Sequence, residues 1–286
     1  MTFLQILILA VVQGACELLP VSSSAHVIMA EKLMGLDPTA PEMTLLLVML
    51  HTGTMFAVII YFWQSWRDRY FVSRGAMWPF AKALAVATCL TGIVGLALML
   101  FIEHVVLRGS AHAEIEQLFG NAYVIAAGLT TVGVMIILSG QRARVADGQV
   151  PLELRQSIWI GAVQGLCLPF RGFSRSGSTI STGLLLGVDK ERLEEFSFAL
   201  AVILTPAVIV KEGYRLLKAQ EDSLTHAAGV FHLVGPSLVG MGFSFIAGLL
   251  ALKWLSRWLG NGRWHVFGYY CLFAAVVVLS IDRRTR

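Results

Sequence analysis

The chain has 286 residues, 56% of them hydrophobic and only 14% charged, with a mean hydropathy of +0.72. That excludes a soluble domain of this length and points to a polytopic membrane protein. A formal net charge of +4 is accounted for by basic loops on one side of a membrane, so nucleic acid is not an expected partner.

From the N-terminus, residues 2–19 are apolar but end in polar sequence and Pro20, which predicts the first arm of a re-entrant hairpin with residues 24–35 as the second. A removed signal peptide is not expected, because the start lacks a basic region and a small-residue cleavage site. Residues 43–63, 79–102 and 121–139 read as three spans, followed by a basic link with Arg142, Arg144 and Arg155. Residues 157–168 are again apolar but short, interrupted by the run from Pro169 to Thr179, and residues 180–188 resume the apolar pattern. Three more spans are expected at 193–213, 230–252 and 264–281. Trp63, Trp78, Trp254 and Trp264 stand at span ends, where interfacial anchors belong. Lys82, Lys211 and Glu212, near span ends, are expected to snorkel. Cys16, Cys89, Cys167 and Cys271 stand singly with no metal-ligand spacing and are expected to pack as small hydrophobes.

The two broken segments resemble each other. Val12-Gln13-Gly14 matches Val163-Gln164-Gly165, and each is followed by a cysteine, a proline and a serine cluster. With one extra residue in the second copy, Ser22-Ser23-Ser24 falls on Ser174-Arg175-Ser176. The expected fold is all-α, a single membrane domain over 1–286. Repeat one (1–140) and repeat two (151–286) are each a re-entrant helical hairpin plus three transmembrane helices, joined by a basic cytoplasmic linker at 141–150. Three spans between the hairpins invert the second repeat. Basic links at 67–74, 142–155 and 253–263 alternate with more acidic ones at 103–116 and 220–222, which puts the basic set in the cytoplasm. The hairpins then enter from opposite sides and meet near mid-membrane. The basic tail of Arg283, Arg284 and Arg286 falls on the external side, against that rule.

Chemistry is concentrated at the two breaks. Gln13 and Glu17 are one helical turn apart on one face, and Ser22 or Ser23 is placed to cap the next helix, with His26 in or near its first turn. Ser23 and His26 suggest a nucleophile and its base. Glu17 is a candidate ligand for a divalent cation, Mg²⁺ or Ca²⁺, bridging phosphates, or alternatively an orienting group for His26. Gln13 offers an oxygen ligand or a hydrogen bond without charge. An arginine at membrane depth costs at least about 2.5–3.5 kcal/mol, so Arg175 needs an anionic partner. Ser174, Ser176, Ser178 and the glycines around them start a helix whose free N–H groups favour anions, and the guanidinium adds a bidentate fork suited to phosphate. A plainer reading pairs Arg175 with Glu17 to join the two halves, but that alone would not need the hydroxyls beside it. His51, in a run of small polar residues mid-span, either lines the same cavity or belongs to a helix-packing patch.

On these residues the chain resembles the bacterial undecaprenyl-diphosphate phosphatases, or bacitracin-resistance proteins. Gln13, Glu17, Pro20, Val21, Ser22, Ser23 and His26 match that family's first motif, and Gly172, Ser174, Arg175, Ser176 and Thr179 its second. The sequence departs from the pattern in having an amide at Gln13, which the family permits, and in Arg171 where the second loop usually has proline. The resemblance implies a membrane hydrolase that removes the terminal phosphate of a C55 polyprenyl diphosphate, usually with a divalent cation, and recycles the lipid carrier of cell-wall synthesis. The expected location is the bacterial plasma (inner) membrane, with the active site opening to the periplasmic or external side. Catalysis would fall to Ser23, His26, Glu17 and Arg175, and phosphate binding to Gln13, Ser22, Ser174, Arg175, Ser176 and Thr179. Inverted repeats with broken helices are equally a transporter signature, so a secondary transporter or flippase for a polyprenyl phosphate or another amphipathic anion is the alternative.

Overall fold

The computed structural model describes residues 1–37, 41–106, 121–145, 150–221 and 227–285. Most of the acidic links, Asp222 and Arg286 lie outside the described residues, as do the side chains of Arg144, Lys211, Glu212 and Arg284. Among the described residues the regular structure is helical, with a single isolated bridge between Val150 and Val188. The helices are α1 (Phe3–Leu18), α2 (Ser23–Leu33), α3 (Pro41–Arg69), α4 (Arg74–Phe101), α5 (Ala122–Val145), α6 (Leu154–Cys167), α7 (Arg175–Leu185), α8 (Lys190–Glu221), α9 (Ala227–Gly260) and α10 (His265–Thr285). A π-helical turn, Ile102–Val106, extends α4.

Five of these helices, α3, α4, α5, α9 and α10, are long and apolar enough to cross a membrane, as a multi-pass membrane protein requires. The three spans expected between the broken segments are α3, α4 and α5. The expected span at 193–213 lies within α8, which is not one of the five; Lys190, Glu191, Arg192, Glu194 and Glu195 load its first turns with charge. Helix α4 begins before its apolar run because the Ser73 hydroxyl accepts from the Ala76 N–H at 3.2 Å, leaving Pro79 inside the helix.

Both broken segments fold as two short helices. In the first, Pro20 ends α1, and Ser22 turns the chain into α2 through φ 67°, ψ 92°. In the second, α6 stops at Cys167 and α7 starts at Arg175. Helices α2 and α7 each have 11 residues, about 16 Å at 1.5 Å per residue and too short for a bilayer core of about 30 Å. Each ends in a residue near φ −90°, ψ 0°, followed by a glycine at positive φ, Gly35 or Gly187.

The packing repeats as well: α1 lies on α9 and α6 on α4, while α3 pairs with α8 and α5 with α10. A Cβ on Gly14 would stand 2.5 Å from the Ser244 carbonyl oxygen, and one on Gly165 would stand 2.9 Å from that of Thr91. Both sites therefore demand glycine. The main core joins the two breaks, with Leu18, Leu19 and Val21 from one side and Ile180 and Leu184 from the other. Trp63, Trp78 and Trp254 are exposed, as anchors should be, but Trp264 is not an anchor. It is 1% exposed, and its indole N–H donates to the hydroxyls of Ser139 and Ser181 at 3.2 and 3.1 Å. A buried indole N–H must find an acceptor, and two serines supply it.

Candidate active site

The tips of the two broken segments meet at Glu17, in the last turn of α1. One carboxylate oxygen accepts from Arg175 Nη2 at 2.8 Å. The other accepts from Ser23 Oγ at 2.6 Å and from Gln13 Nε2 at 3.1 Å. His51 stands 3.8 Å away from this second oxygen by its Nε2. Its Nδ1–H donates to the Leu47 carbonyl at 2.8 Å, which aims the other ring nitrogen at the carboxylate. The Glu17–Arg175 pair thus fastens α1 to α7, and the Ser176 hydroxyl adds a second link by donating to the Leu19 carbonyl at 3.2 Å.

A cavity of about 300 Å³ opens between these groups. Glu17, Ser22, Ser23, Ser24, His51, Gln164, Arg171, Ser174, Arg175 and Ser176 all contribute to its wall, together with Cys16 and Cys167. Two guanidinium groups face a single carboxylate, so the lining favours an anion. Gln164 is fully buried, and neither its amide oxygen nor its nitrogen has a hydrogen-bond partner. Such a group at a cavity wall is placed to meet a polar ligand.

Arg175 is the first residue of α7. Its helix start is held by Ser174, whose hydroxyl accepts from the Gly177 N–H at 3.2 Å. The loop ahead is pressed onto α5. Gly172 has φ 94°, and a Cβ there would collide with the Ile125 carbonyl, so only glycine fits.

Several expected placements are corrected. Ser22 occupies the cap position of α2 but makes no side-chain cap bond; its hydroxyl bonds that of Ser24 at 3.3 Å, because the positive φ turns it away from the helix N–H groups. Ser23 and His26 are not hydrogen-bonded to each other. His26 Nδ1–H donates to the Ser22 carbonyl at 2.8 Å, and Nε2 accepts from the Tyr270 hydroxyl at 2.7 Å. The imidazole is stacked on that tyrosine and borders a second, apolar cavity of about 270 Å³ between α1, α2, α5 and α10. Thr179 does not reach the anion cavity. Its hydroxyl donates to the Arg175 carbonyl at 2.8 Å and shares a 2.7 Å hydrogen bond with Ser197 of α8. Gln13 is 1% exposed and stands behind Glu17 rather than on the cavity wall. Cys16 and Cys167 face the cavity and are not purely packing residues, although Cys167 is also held by Ser178.

Tyr270 carries no local sequence signal and is found only in the folded structure. Gln164 was legible as the repeat mate of Gln13, but its place on the cavity wall was not. Among the described residues no group of three or more His, Cys, Asp or Glu is placed to hold a metal. The oxygen donors present, the Glu17 carboxylate and the unpartnered Gln164 amide, are hard ligands of the kind Mg²⁺ and Ca²⁺ use. They fit a cation that arrives with phosphate oxygens, not one held in a preformed protein cage.

The family model described as bacitracin resistance protein BacA matches residues 6–277. A protein of Acinetobacter baylyi named undecaprenyl-diphosphatase 2 is 58% identical over 283 residues, covering 98% of each chain. An undecaprenyl-diphosphatase of Korarchaeum cryptofilum is 30% identical over 98% of this chain and 100% of its own. An undecaprenyl-diphosphatase 2 of Burkholderia orbicola is 32% identical over 95% of this chain and 94% of its own.

Proposed function

The chain belongs to the bacitracin resistance protein BacA family, and from that premise we propose that it is an undecaprenyl-diphosphate phosphatase. It is a membrane hydrolase that cleaves the terminal phosphate from a C55 polyprenyl diphosphate, releasing phosphate and the monophosphate lipid carrier of cell-wall synthesis. The observation that carries this reading is the Ser23–Glu17–Arg175 constellation on the wall of an anion-favouring cavity.

In the proposed mechanism the diphosphate enters beside Arg175, whose guanidinium moves from Glu17 to the phosphate oxygens. Glu17 is then released to take the Ser23 proton, already directed at it at 2.6 Å. Ser23 Oγ attacks the terminal phosphorus, the phosphoanhydride bond breaks, and polyprenyl monophosphate leaves. Water then cleaves the Oγ–P bond, releasing phosphate and returning the serine its proton. Ser174 and the N–H groups at the α7 start stabilise the charge that develops. His26, held between Ser22 and Tyr270, fixes the entry to α2 instead of acting as the base for Ser23. The apolar cavity beside it suits part of the isoprenoid tail. A divalent cation, held by Glu17 and the Gln164 amide oxygen with the substrate, would neutralise diphosphate charge. The assay is phosphate release from the C55 diphosphate by purified protein, with and without chelator. Absence of release with Mg²⁺ or Ca²⁺ supplied would sink the reading.

The architecture proposed is a duplicated, inverted repeat, 1–140 and 151–286, with two re-entrant hairpins. The correspondence of Ser23 with Arg175, Leu33 with Leu185 and Gly35 with Gly187 supports it, as do the paired contacts of Gly14 and Gly165. With the ends bearing Arg67 and Arg257 in the cytoplasm of a bacterial inner membrane, the cavity opens outward. In a cysteine-free background, Asp68→Cys should resist impermeant thiol reagents in intact cells, whereas Glu103→Cys should react. The opposite pattern would turn the molecule over.

A further inference from the structure

Arg171 has no part in the mechanism above, yet it lines the same cavity as Arg175. Its backbone is held in place. Gly172 follows it at positive φ against α5, and a Cβ on Gly128 would lie 3.0 Å from the Arg171 carbonyl oxygen. With the backbone fixed, the guanidinium moves only through its own side-chain torsions.

The Glu17–Arg175 ion pair already engages one guanidinium of the cavity, and Arg171 brings a second guanidinium to the same wall. A diphosphate carries more negative charge than one guanidinium neutralises, and its two phosphates present two separate sets of oxygens.

We propose that Arg171 is the second phosphate-binding cation of the cavity, taking the phosphate that Arg175 does not clamp. The proposal rests on the diphosphatase reading and deepens it: selectivity for a diphosphate over a monophosphate comes from Arg171. Arg175 serves the phosphoryl group that is transferred. Arg171 serves the phosphate that stays on the lipid, so it acts on binding far more than on turnover.

The test compares wild type with Arg171→Ala and Arg171→Lys. KM and kcat are measured for the polyprenyl diphosphate, alongside inhibition by inorganic pyrophosphate and by inorganic phosphate. Losing one charge-assisted contact should raise KM about tenfold in Arg171→Ala and weaken pyrophosphate inhibition about as much. Turnover should stay within about threefold, and phosphate inhibition should not change. Arg171→Lys should recover part of the KM. An unchanged KM in Arg171→Ala overturns the proposal, as does equal weakening of pyrophosphate and phosphate. Thermal stabilisation by pyrophosphate is measured in parallel and needs no turnover. An inactive wild type that pyrophosphate still stabilises, with the stabilisation lost in Arg171→Ala, would sink the diphosphatase reading and leave the assigned site standing.

Discussion

The first and second broken segments have one geometry and opposite chemistry. Each runs a short helix into a break and out through an 11-residue helix closed by a glycine at positive φ. At matching places, however, Glu17 stands against Leu168 and Ser23 against Arg175. The first segment holds the Glu17 carboxylate and the Ser23 hydroxyl bonded to it, and the second holds the Arg175 guanidinium and the capped helix start. Their backbones differ at the same point. Ser174 enters α7 at φ −56° with its cap bond made, whereas Ser22 enters α2 at φ 67° without one. A non-glycine residue held there stores about 1–3 kcal/mol of strain. In the proposed mechanism this is a division of labour: the strained side makes the bond, and the relaxed helix start on the other side binds.

If that division is correct, the two sides should break differently. The largest loss is expected for Glu17→Gln, which removes the proton acceptor of Ser23: about 10²–10⁴-fold in kcat, the usual span for a positioned general base. A folded Glu17→Gln variant that turns over like wild type would return the serine proton to another group. Arg175→Lys keeps the charge on the binding side but loses the planar fork, and should cost about 10–100-fold in kcat/KM. Near-normal catalysis would mean that charge alone suffices. The smallest effect belongs to Ser22→Gly. Glycine accepts the positive φ without strain, so the thermal midpoint should rise, with a gain of about 1 kcal/mol. Turnover should fall by less than about tenfold as the start of α2 loosens. A lower thermal midpoint would show that Ser22 is not strained where it stands.

The Glu17–Arg175 meeting was legible in the sequence because membrane depth leaves an arginine few options, and the repeated Val-Gln-Gly runs showed which segments would meet. The first break was equally readable from Pro20 and its serines. What could not be read were partners that no motif or repeat marks. His26 looked like the base for Ser23 because three residues separate them, but its ring is captured by Tyr270, 244 positions away, and its other nitrogen by the Ser22 carbonyl. Thr179 sat in a phosphate motif, yet one helical turn carries it past the cavity to Ser197. Trp264 stood at a span end, where the sequence suggests an interface, and only the packing of α10 on α5 places it inside. Motif residues fix which groups gather. The helix faces they occupy decide which of them reach the cavity.

The close approaches at Gly14 and Gly165 have a consequence for traffic across the bilayer. Carrying a lipid headgroup from one leaflet to the other by rocking one half against the other would require α1 to slide on α9 and α6 on α4. Those two contacts bring carbonyl oxygens to where a side chain would otherwise begin, on both sides of the site at once. Interfaces packed this tightly change by discrete jumps and not by gliding. A catalyst whose nucleophile and clamp come from opposite halves gains from that immobility, since both groups keep their register through every turnover, whereas a carrier built on the same seams would have to break them in each cycle.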